Sequence, residues 1–313
     1  MTERWVLLSG GVGGAKLALG LDRVLPPGTL TVIANTGDDF RHLGLAISPD
    51  IDTLLYTLAG TVNPDTGWGR RDESWQFMAA LTALRGEDWF RLGDRDLAVH
   101  IERTRRLGTG ETLTAVTRDL AARWGIRSVI LPMSDAPSPT RVVTRDGTIA
   151  FQDYFVRRRA EPVASGFDFG GARPTPEVLA ALTAPGLRGI LIAPSNPWLS
   201  IEPLLALAGM RATLIAAAVP IVAVSPIVGG AAIKGPTAKI MRELGMAVNS
   251  TSIARHYGML VHGIVLDERD RHEVQPIESL GLRALCTGTV MRTLEDKTAL
   301  ALATLGFARS LER

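Results

Sequence analysis

Short apolar runs of strand length recur along the chain, and each is followed by small or polar residues and then by a stretch with helical periodicity. This order is typical of repeated strand-helix-strand units. The runs do not alternate strictly between apolar and polar residues, which indicates strands buried on both faces of a parallel sheet. The clearest runs are residues 5–8, 30–34, 129–131, 189–193, 221–224 and 263–266.

Two segments depart from this pattern. Helical periodicity dominates residues from about 53 to 127, a stretch too long for a simple crossover, and we expect Leu97, Ile101 and residues 104–107 to form one buried helix face there. Asp146 and Gly147 stand between two β-branched runs and predict a small β-hairpin. We therefore predict one α/β domain over residues 1–313, with a mostly parallel sheet, a helical insertion and a hairpin.

Composition and charge narrow the class of function. The 313 residues are 46% hydrophobic and 21% charged, which excludes a disordered or collagen-like chain. The formal net charge is only +2, so no global positive field for nucleic acid is expected. Any function that depends on charge must therefore be local.

The sequence also indicates in which cellular compartment the protein is expected. Cys286 is the single cysteine, so a disulfide framework is excluded and a reducing, cytoplasmic location is expected. The first residues lack the long apolar segment of a secretory signal. Residues 212–233 are uncharged and long enough to span a bilayer, but Pro220, Pro226 and a glycine pair interrupt them. We expect no membrane span.

A glycine-rich turn follows the first predicted strand and precedes a helix, in the order Ser9-Gly10-Gly11-Val12-Gly13-Gly14-Ala15-Lys16. Glycines in this context let backbone amides approach an anion at a helix N-terminus. The segment is not a Walker A loop, and the third glycine of a dinucleotide fingerprint would fall at Lys16. It indicates a phosphate or nucleotide site, with a purely structural turn as the alternative.

Aspartates gather after the second strand, in Asn35-Thr36-Gly37-Asp38-Asp39 and in Ser48-Pro49-Asp50-Ile51-Asp52-Thr53. The carboxyl edge of parallel strands is where open α/β sheets bind ligands. Carboxylate oxygens at such an edge suit Mg²⁺, which usually takes one or two carboxylates plus substrate phosphates. Helix capping or turn formation is the alternative for any one of them.

Three further segments could contact a ligand. Arg91 lies beside Trp89 and Phe90 and could clamp phosphate, or pair with Asp94 or Asp96. Ser195 and Asn196 follow another predicted strand and offer hydrogen bonds to a base, ribose or phosphate. Lys234 follows a glycine pair and could supply a point charge to phosphate. No serine elbow or paired cysteine supports nucleophilic catalysis, so direct transfer that relies on positioning and charge neutralisation is favoured.

At these residues the sequence resembles the 2-phospho-L-lactate transferase family of coenzyme F-420 biosynthesis. The resemblance runs through nearly the whole chain. Besides the glycine turn and the two aspartate motifs, it is carried by residues 67–69, 92–96, 131–135, 151–153, 194–197, 224–227 and 267–270.

The resemblance implies a Rossmann-like fold, a homodimer and a Mg²⁺-dependent transferase. In this reaction a guanosine diphosphate-activated phospho-acid is attacked by the ribityl hydroxyl of 7,8-didemethyl-8-hydroxy-5-deazariboflavin, and GMP leaves. It also implies site residues. Asp38 and Asp50 match catalytic positions that hold Mg²⁺, whereas Asp52 and Arg91 match deazaflavin-contacting positions. We place Gly11, Gly13, Ser195 and Asn196 on the guanosine and phosphate side.

Two matters stay open at this point. The activated acid is phosphoenolpyruvate, as expected of bacterial members, 2-phospho-L-lactate or the corresponding glycerate, and a change of one or two side chains could switch the preference. The alternative functions are a non-catalytic nucleotide-binding regulator of the same superfamily and an NAD(P)-dependent dehydrogenase. The first should lack residues such as Asp52 and Arg91, and the second should have an intact glycine fingerprint.

Overall fold

The computed structural model describes residues 2–312 and is built around a seven-stranded sheet with helices on both faces. The strands, in chain order, are β1 (Arg4–Ser9), β2 (Leu30–Ala34), β3 (Phe40–His42), β4 (Leu45–Ile47), β5 (Val129–Pro132), β6 (Thr140–Thr144), β7 (Gly147–Ala150), β8 (Ala164–Phe169), β9 (Leu187–Ile192), β10 (Ile221–Val224), β11 (Ile227–Val228), β12 (Ala231–Ala232), β13 (Gly263–Asp267) and β14 (Arg283–Thr287).

The α-helices are α1 (Gly11–Val24), α2 (Pro49–Leu58), α3 (Gln76–Ala83), α4 (Asp94–Gly108), α5 (Leu113–Arg123), α6 (Pro176–Leu182), α7 (Glu202–Leu205), α8 (Met210–Ala216), α9 (Thr237–Glu243), α10 (Ser250–Tyr257), α11 (Val274–Glu278) and α12 (Leu294–Ser310). Short π-helices cover Asp153–Arg157 and Pro197–Ile201, and short 3₁₀ helices cover Gly258–Leu260 and Glu268–Glu273. No single helix among residues 2–312 is long and apolar enough to cross a membrane, although the bent pair Pro197–Leu205 and Met210–Ala216 passes by length and composition.

The main sheet has the strand order β14-β13-β10-β9-β1-β2-β5, and every pairing in it is parallel. From β1 the chain moves outward through β2 to β5. It then returns to the other side of β1 as β9 and moves outward again through β10 and β13 to β14. The point where the strand order reverses, between β1 and β9, is where open α/β sheets form a ligand crevice.

Burial on both faces of the sheet explains why the strand runs are continuous. In β1, Trp5 and Leu7 pack into one core, whereas Val6 and Leu8 pack into the core on the opposite face. Successive residues of a strand alternate between faces, so a strand covered on both sides needs apolar residues throughout. This confirms the α/β class and all six predicted strands; β14 is a seventh that the sequence did not predict.

The helical insertion and the hairpin are also present. Three helices, α3 to α5, lie between α2 and β5, and β6 pairs antiparallel with β7 as predicted. A further strand, β8, pairs with the other edge of β6. The predicted buried face of the insertion is wrong at Ile101, which is 51% exposed, because α4 instead buries His100 and Arg103 against polar partners on α2.

Candidate active site

The turn after β1 meets the loop after β9 at the switch point of the sheet. The hydroxyl of Ser195 accepts a hydrogen bond from the Gly10 amide at 3.2 Å and donates to the Gly10 carbonyl at 2.5 Å. Gly11, with φ of +63°, starts α1 in a conformation that favours glycine. A Cβ on Gly13 would lie 2.5 Å from the Pro194 carbonyl oxygen, so the same two loops require glycine there as well.

Asp50 lies in the first turn of α2 and connects the aspartate motifs to the glycine turn. Its Oδ1 accepts from the Gly11 amide at 2.6 Å, and its Oδ2 accepts from the side-chain amide of Asn35 at 3.0 Å. The approach is close, because a Cβ on Gly10 would lie 2.6 Å from Asp50 Oδ2. The carboxylate therefore sits directly against the backbone that the sequence predicts to face an anion.

Asp38 and Asp39 occupy the turn after β2. Asp38 Oδ1 lies 3.4 Å from the amide nitrogen of Asn35, the same atom that donates to Asp50. Asp39 Oδ2 accepts from the Ser48 hydroxyl at 2.7 Å. The turn is held from the hairpin side, where the Gln152 amide donates to the Asp38 carbonyl at 3.0 Å. The structure thus brings Asp38 and Asp50 together, as predicted, and adds Asp39.

Asp38 and Asp50 are buried and Asp39 is half-buried, and the three carboxylates bring several negative charges close together. Burial raises the pKa of Asp38 well above its usual range, and the charges of Asp50 and Asp39 raise it further. Burial raises the pKa of Asp50 to about 6, although hydrogen bonds from Asn35 and Gly11 act in the opposite direction. The pKa of Asp39 is raised as well, again mainly by burial. Such a cluster is stabilised by a cation.

The donor set fits a hard divalent cation. Asp39 Oδ1 is buried and has no hydrogen-bond partner among the described residues, which leaves one oxygen free to act as a ligand. Oxygen ligands from one or two carboxylates are those that Mg²⁺ uses in phosphate-transferring sites. Asp38 and Asp50, joined through the side-chain amide of Asn35, are therefore the residues that could hold such an ion, and Asp39 lies next to them in the turn.

Asp52 is engaged differently. Arg103 of α4, which is fully buried, donates to both carboxylate oxygens of Asp52, with Nη1 at 3.0 Å from Oδ2. Next to this pair, His100 Nδ1 lies 3.6 Å from Asp52 and its Nε2 lies 3.2 Å from Asp96. Tyr56 donates to Asp96 as well. Ligand atoms of Asp52, Asp96 and His100 are close enough for a metal, but cationic and hydroxyl donors already occupy this network.

Arg91 lies in the insertion, in the wall of a surface depression. Its guanidinium stacks over the Trp75 ring with 4.3 Å to the centroid, and the alternative pairing with Asp94 or Asp96 is not formed among the described residues. The depression has a volume of about 360 Å³ and is lined by Trp75, Met78, Ala79, Thr82, Asp88 and Arg91. A smaller adjoining cavity of about 50 Å³ also has Arg91 and Trp75 in its wall, together with Trp68, Arg70 and Asp96.

Asn196 combines a structural role with a free donor. Its Oδ1 accepts from the amides of Trp198 and Leu199 and caps the following helix. Its Nδ2 is buried and has no partner among the described residues, so it could donate to a ligand. Asn196 and Ser195 both lie in the loop after β9, and this loop contacts the glycine turn through Ser195 and Gly10.

A family model described as 2-phospho-L-lactate transferase CofD matches residues 5–281. The chain belongs to this family. A phosphoenolpyruvate transferase from Streptomyces griseus is 41% identical over 98% of the chain and 99% of that relative. A 2-phospho-L-lactate transferase from Methanosarcina mazei is 39% identical over 95% of the chain and 97% of that relative. The resemblance inferred from the motifs is confirmed.

The fold of this CofD-family chain also resembles that of solved structures. The crystal structure of the Bacillus halodurans protein BH3568 superposes with a TM-score of 0.66 at 15% identity, covering 97% of the chain and 100% of that protein. A second structure of BH3568 is titled a member of the upf0052 family and gives a TM-score of 0.64 at 14% identity. At this identity the comparison supports the Rossmann-like fold alone.

Two site residues of this CofD-family chain lie in a motif that the sequence indicates, but the sequence predicts no role for them. Asn35 and Asp39 stand inside the first aspartate motif, and their position directly after a strand was the available signal. Arg103 had no such signal, because its partner Asp52 is 51 positions away in the sequence.

Proposed function

We propose that the protein transfers a phospho-acid moiety, phosphoenolpyruvate or 2-phospho-L-lactate, from its guanosine diphosphate-activated donor to 7,8-didemethyl-8-hydroxy-5-deazariboflavin. The observation that carries the proposal is the contact of Asp50 with both the Gly11 amide and the Asn35 amide. This contact joins the aspartate cluster to a glycine turn at a helix N-terminus. Transfer from a pyrophosphate needs both a cation held by carboxylates and backbone amides that bind phosphate. The names of the curated relatives support the transfer of a phospho-acid.

Asp38 and Asp50 would hold Mg²⁺, which when bound neutralises the pyrophosphate and stabilises the charge that develops on the departing phosphate. Asn35 sets the separation of Asp38 and Asp50 through its amide. The Gly11 amide fixes Asp50 against the turn, so the carboxylate does not have to reorganise during the reaction. A carboxylate that ligates a cation is a poor base, so these residues are assigned to binding and not to proton transfer.

The proposed reaction breaks a phosphoanhydride bond of the donor and forms a phosphoester bond to the acceptor. The terminal ribityl oxygen forms a bond to the phosphorus that carries the acid, and the bond from that phosphorus to the oxygen bridging to GMP breaks. GMP leaves with the bonding electron pair, and the ribityl hydroxyl loses its proton. The product is the phosphodiester of coenzyme F-420-0, in its dehydro form if the acid is enolpyruvate.

The acceptor is assigned to the side of the insertion. Arg91 stacked on Trp75 presents a cationic and aromatic wall to the larger depression, and Trp68 is 51% exposed at the adjoining cavity. Flat aromatic ligands are well matched by such surfaces. Asp52, which the sequence assigns to acceptor contact, would act there through the Arg103 network, because its own oxygens are occupied.

The donor is assigned to the crevice between β1 and β9. We assign the phosphate to the neighbourhood of Gly11 and Gly13, at the N-terminus of α1. The buried Nδ2 of Asn196 has no partner among the described residues and could donate to it, whereas the Gly11 amide and the Ser195 hydroxyl already bond to Asp50 and Gly10. A homodimer, a cytoplasmic location and the choice of acid stay predictions. Relatives with the two acids in their names are 41% and 39% identical to the chain, so identity does not favour either acid.

The test is a mass-spectrometric assay with the deazaflavin acceptor, Mg²⁺ and the two guanylylated acids in competition. We expect one phosphodiester product and GMP in equal amounts, and the product mass identifies the acid. Asp50→Asn should lower turnover at least about 100-fold while circular dichroism stays native, because it removes a charged ligand. Asp65→Asn, at an exposed aspartate of the insertion, is the matched control and should keep full turnover. Guanosine nucleotide binding without any product would favour the regulator.

A further inference from the structure

The chain between α2 and α3 forms a narrow loop whose tip covers residues 63–69. Backbone hydrogen bonds join the two sides of this loop, among them one from the Asn63 amide to the Gly69 carbonyl at 3.0 Å. Trp68 lies in the tip between Gly67 and Gly69, whose φ angles of +76° and +67° favour glycine. Because glycine loses much backbone freedom when it becomes ordered, the position of Trp68 depends on contacts from outside the tip.

Contacts from two other parts of the chain hold the tip. The Lys234 ammonium, which lies far away in the sequence, donates to the Thr66 carbonyl at 2.8 Å. A Cβ on Gly67 would lie 2.6 Å from the Val12 side chain and 3.7 Å from the Lys234 nitrogen, so the tip packs on the glycine turn beside the lysine. Hydrogen bonds from a charged donor are stronger than those between neutral groups. Removing the lysine should therefore loosen the tip.

The backbone that carries Lys234 is itself fixed. Lys234 lies two positions after β12, which pairs antiparallel with β11. In the turn between these two strands, the Gly229 amide donates to both carboxylate oxygens of Asp270, at 3.0 and 2.9 Å. Asp270 stands in the 3₁₀ helix that follows β13. Lys234 therefore extends toward the tip from a hairpin that is tied to the main sheet.

Trp68 connects the tip to the assigned acceptor site. Its side chain lines the smaller cavity together with Arg70, Trp75 and Arg91, and Trp75 and Arg91 also stand in the wall of the larger depression. A ligand in that depression would thus lie next to Trp68, which is 51% exposed and has indole surface free for contact. Contacts between aromatic rings depend on their separation and tilt, so a shift of the tip would change acceptor binding.

We propose that Lys234 is a positioning residue for the acceptor: its ammonium holds the tip through the Thr66 carbonyl and thereby places Trp68 against the deazaflavin ring. The inference rests on the proposed function and adds to it a residue from the β10 side of the sheet. The sequence instead suggests a point charge on phosphate for Lys234. The two roles predict different kinetics, because loss of a phosphate contact weakens the donor and loss of the tip contact weakens the acceptor.

Steady-state kinetics with each substrate varied in turn separates these roles. We expect Lys234→Met to raise the KM of the deazaflavin about fivefold and to leave kcat and the KM of the guanylylated donor within about twofold. Lys297→Met removes the same charge from α12, outside the tip, and should match the wild type. A rise in the donor KM with an unchanged acceptor KM would overturn the proposal, and so would no change in either constant.

A double-mutant cycle tests whether Lys234 acts through Trp68. Trp68→Ala should raise the acceptor KM at least as much as Lys234→Met does, because it removes the indole. If the lysine works by placing this indole, Lys234→Met should have no further effect in the Trp68→Ala background. Independent effects that multiply in the double variant would contradict action through Trp68.

Limited digestion with trypsin tests the tip without any substrate. Arg70 and Arg71 directly follow the tip, and the Arg71 side chain is 57% exposed. We expect cleavage at this pair, identified by mass spectrometry, to be at least about threefold faster in Lys234→Met, whereas Lys297→Met should be cleaved at the wild-type rate. Tm should change by less than about 2 °C, since both partners of the lost hydrogen bond are at the surface.

The two readouts distinguish failure of this inference from failure of the proposed function. Faster cleavage of Lys234→Met, together with a wild type that makes no product, would mean that the proposed function alone fails. Product formation with unchanged cleavage and an unchanged acceptor KM would mean that the positioning role alone fails.

Discussion

The side-chain amide of Asn35 donates to Oδ2 of Asp50 at 3.0 Å and thereby ties the end of β2 to the first turn of α2. The same nitrogen lies 3.4 Å from Asp38, and the Asn35 oxygen accepts from the Gly37 amide at 2.8 Å. Asn35 is 1% exposed, so water cannot replace these hydrogen bonds. One amide therefore sets the spacing of two carboxylates that come from different motifs.

We expect Asn35→Ala to lower the free energy of unfolding by about 2 kcal/mol, since it leaves buried acceptors without donors. The affinity for Mg²⁺ should fall as well, because Asp38 and Asp50 lose their fixed separation. Urea unfolding and a titration with Mg²⁺ measure the two effects. Asn63→Ala removes an amide from a partly exposed turn of the insertion and should change stability by less than about 0.5 kcal/mol. Equal effects of the two variants would contradict the role of Asn35.

The second prediction concerns pH. Asp50 has a folded-state pKa of about 6, above its value in an unfolded chain, because burial disfavours the carboxylate. Well below the ordinary aspartate pKa of 3.8, both states are protonated and the group has no effect. As the pH rises toward 6 the unfolded state ionises more readily, so stability without metal should fall across this window. Added Mg²⁺ should thus raise Tm much more at pH 8 than at pH 5.

Asp50→Asn provides the control for this prediction. The amide does not titrate, so the fall in stability between pH 4 and pH 7 should be smaller in the variant, and so should the response to Mg²⁺. Differential scanning fluorimetry at fixed ionic strength measures both proteins in parallel. A Mg²⁺ response that is the same at pH 5 and pH 8 would show that protons and metal do not compete for this cluster.

Much of the fold follows from the sequence, because the central strands are buried on both faces and need continuous apolar runs. β14 escaped prediction since it is an edge strand with one partner, and its residues are half-buried or exposed. The edge rule for parallel sheets also placed Asp38 and Asp50 together. This rule could not predict that the carboxylate of Asp52, two positions from Asp50, pairs with the Arg103 guanidinium. That contact depends on how the insertion packs on α2. The same packing buries Arg103 and leaves Ile101 in solvent.

The third prediction tests the Arg103 network. Arg103→Met should lower the free energy of unfolding by about 3–5 kcal/mol, because it leaves the buried Asp52 carboxylate without its counter-charge. The double variant Arg103→Met with Asp52→Asn should recover part of this loss, since the unpaired charge is gone. Chemical denaturation of the single and double variants gives the coupling.

The matched control for the Arg103 variants is a second arginine on α4. Arg105 pairs with Glu102, but its side chain is 61% exposed, so Arg105→Met should cost less than about 1 kcal/mol. A similar small cost for Arg103→Met would show that water already reaches Asp52 and that the network does not join the insertion to α2. Additive single effects in the double variant would contradict a direct Arg103 to Asp52 interaction.

The fourth prediction separates the acceptor side from the donor side. Arg91 is exposed and stacks on Trp75 in the wall of the larger depression, so Arg91→Ala should remove a cationic face without disturbing the core. If the deazaflavin lies there, its KM should rise about tenfold, whereas the KM of the guanylylated donor should stay within twofold. Steady-state kinetics with each substrate varied in turn measures this split. Arg95→Ala, at a neighbouring exposed arginine outside both cavity walls, should leave both constants unchanged. A rise in the donor KM instead would move the acceptor away from this wall and place the donor against the insertion.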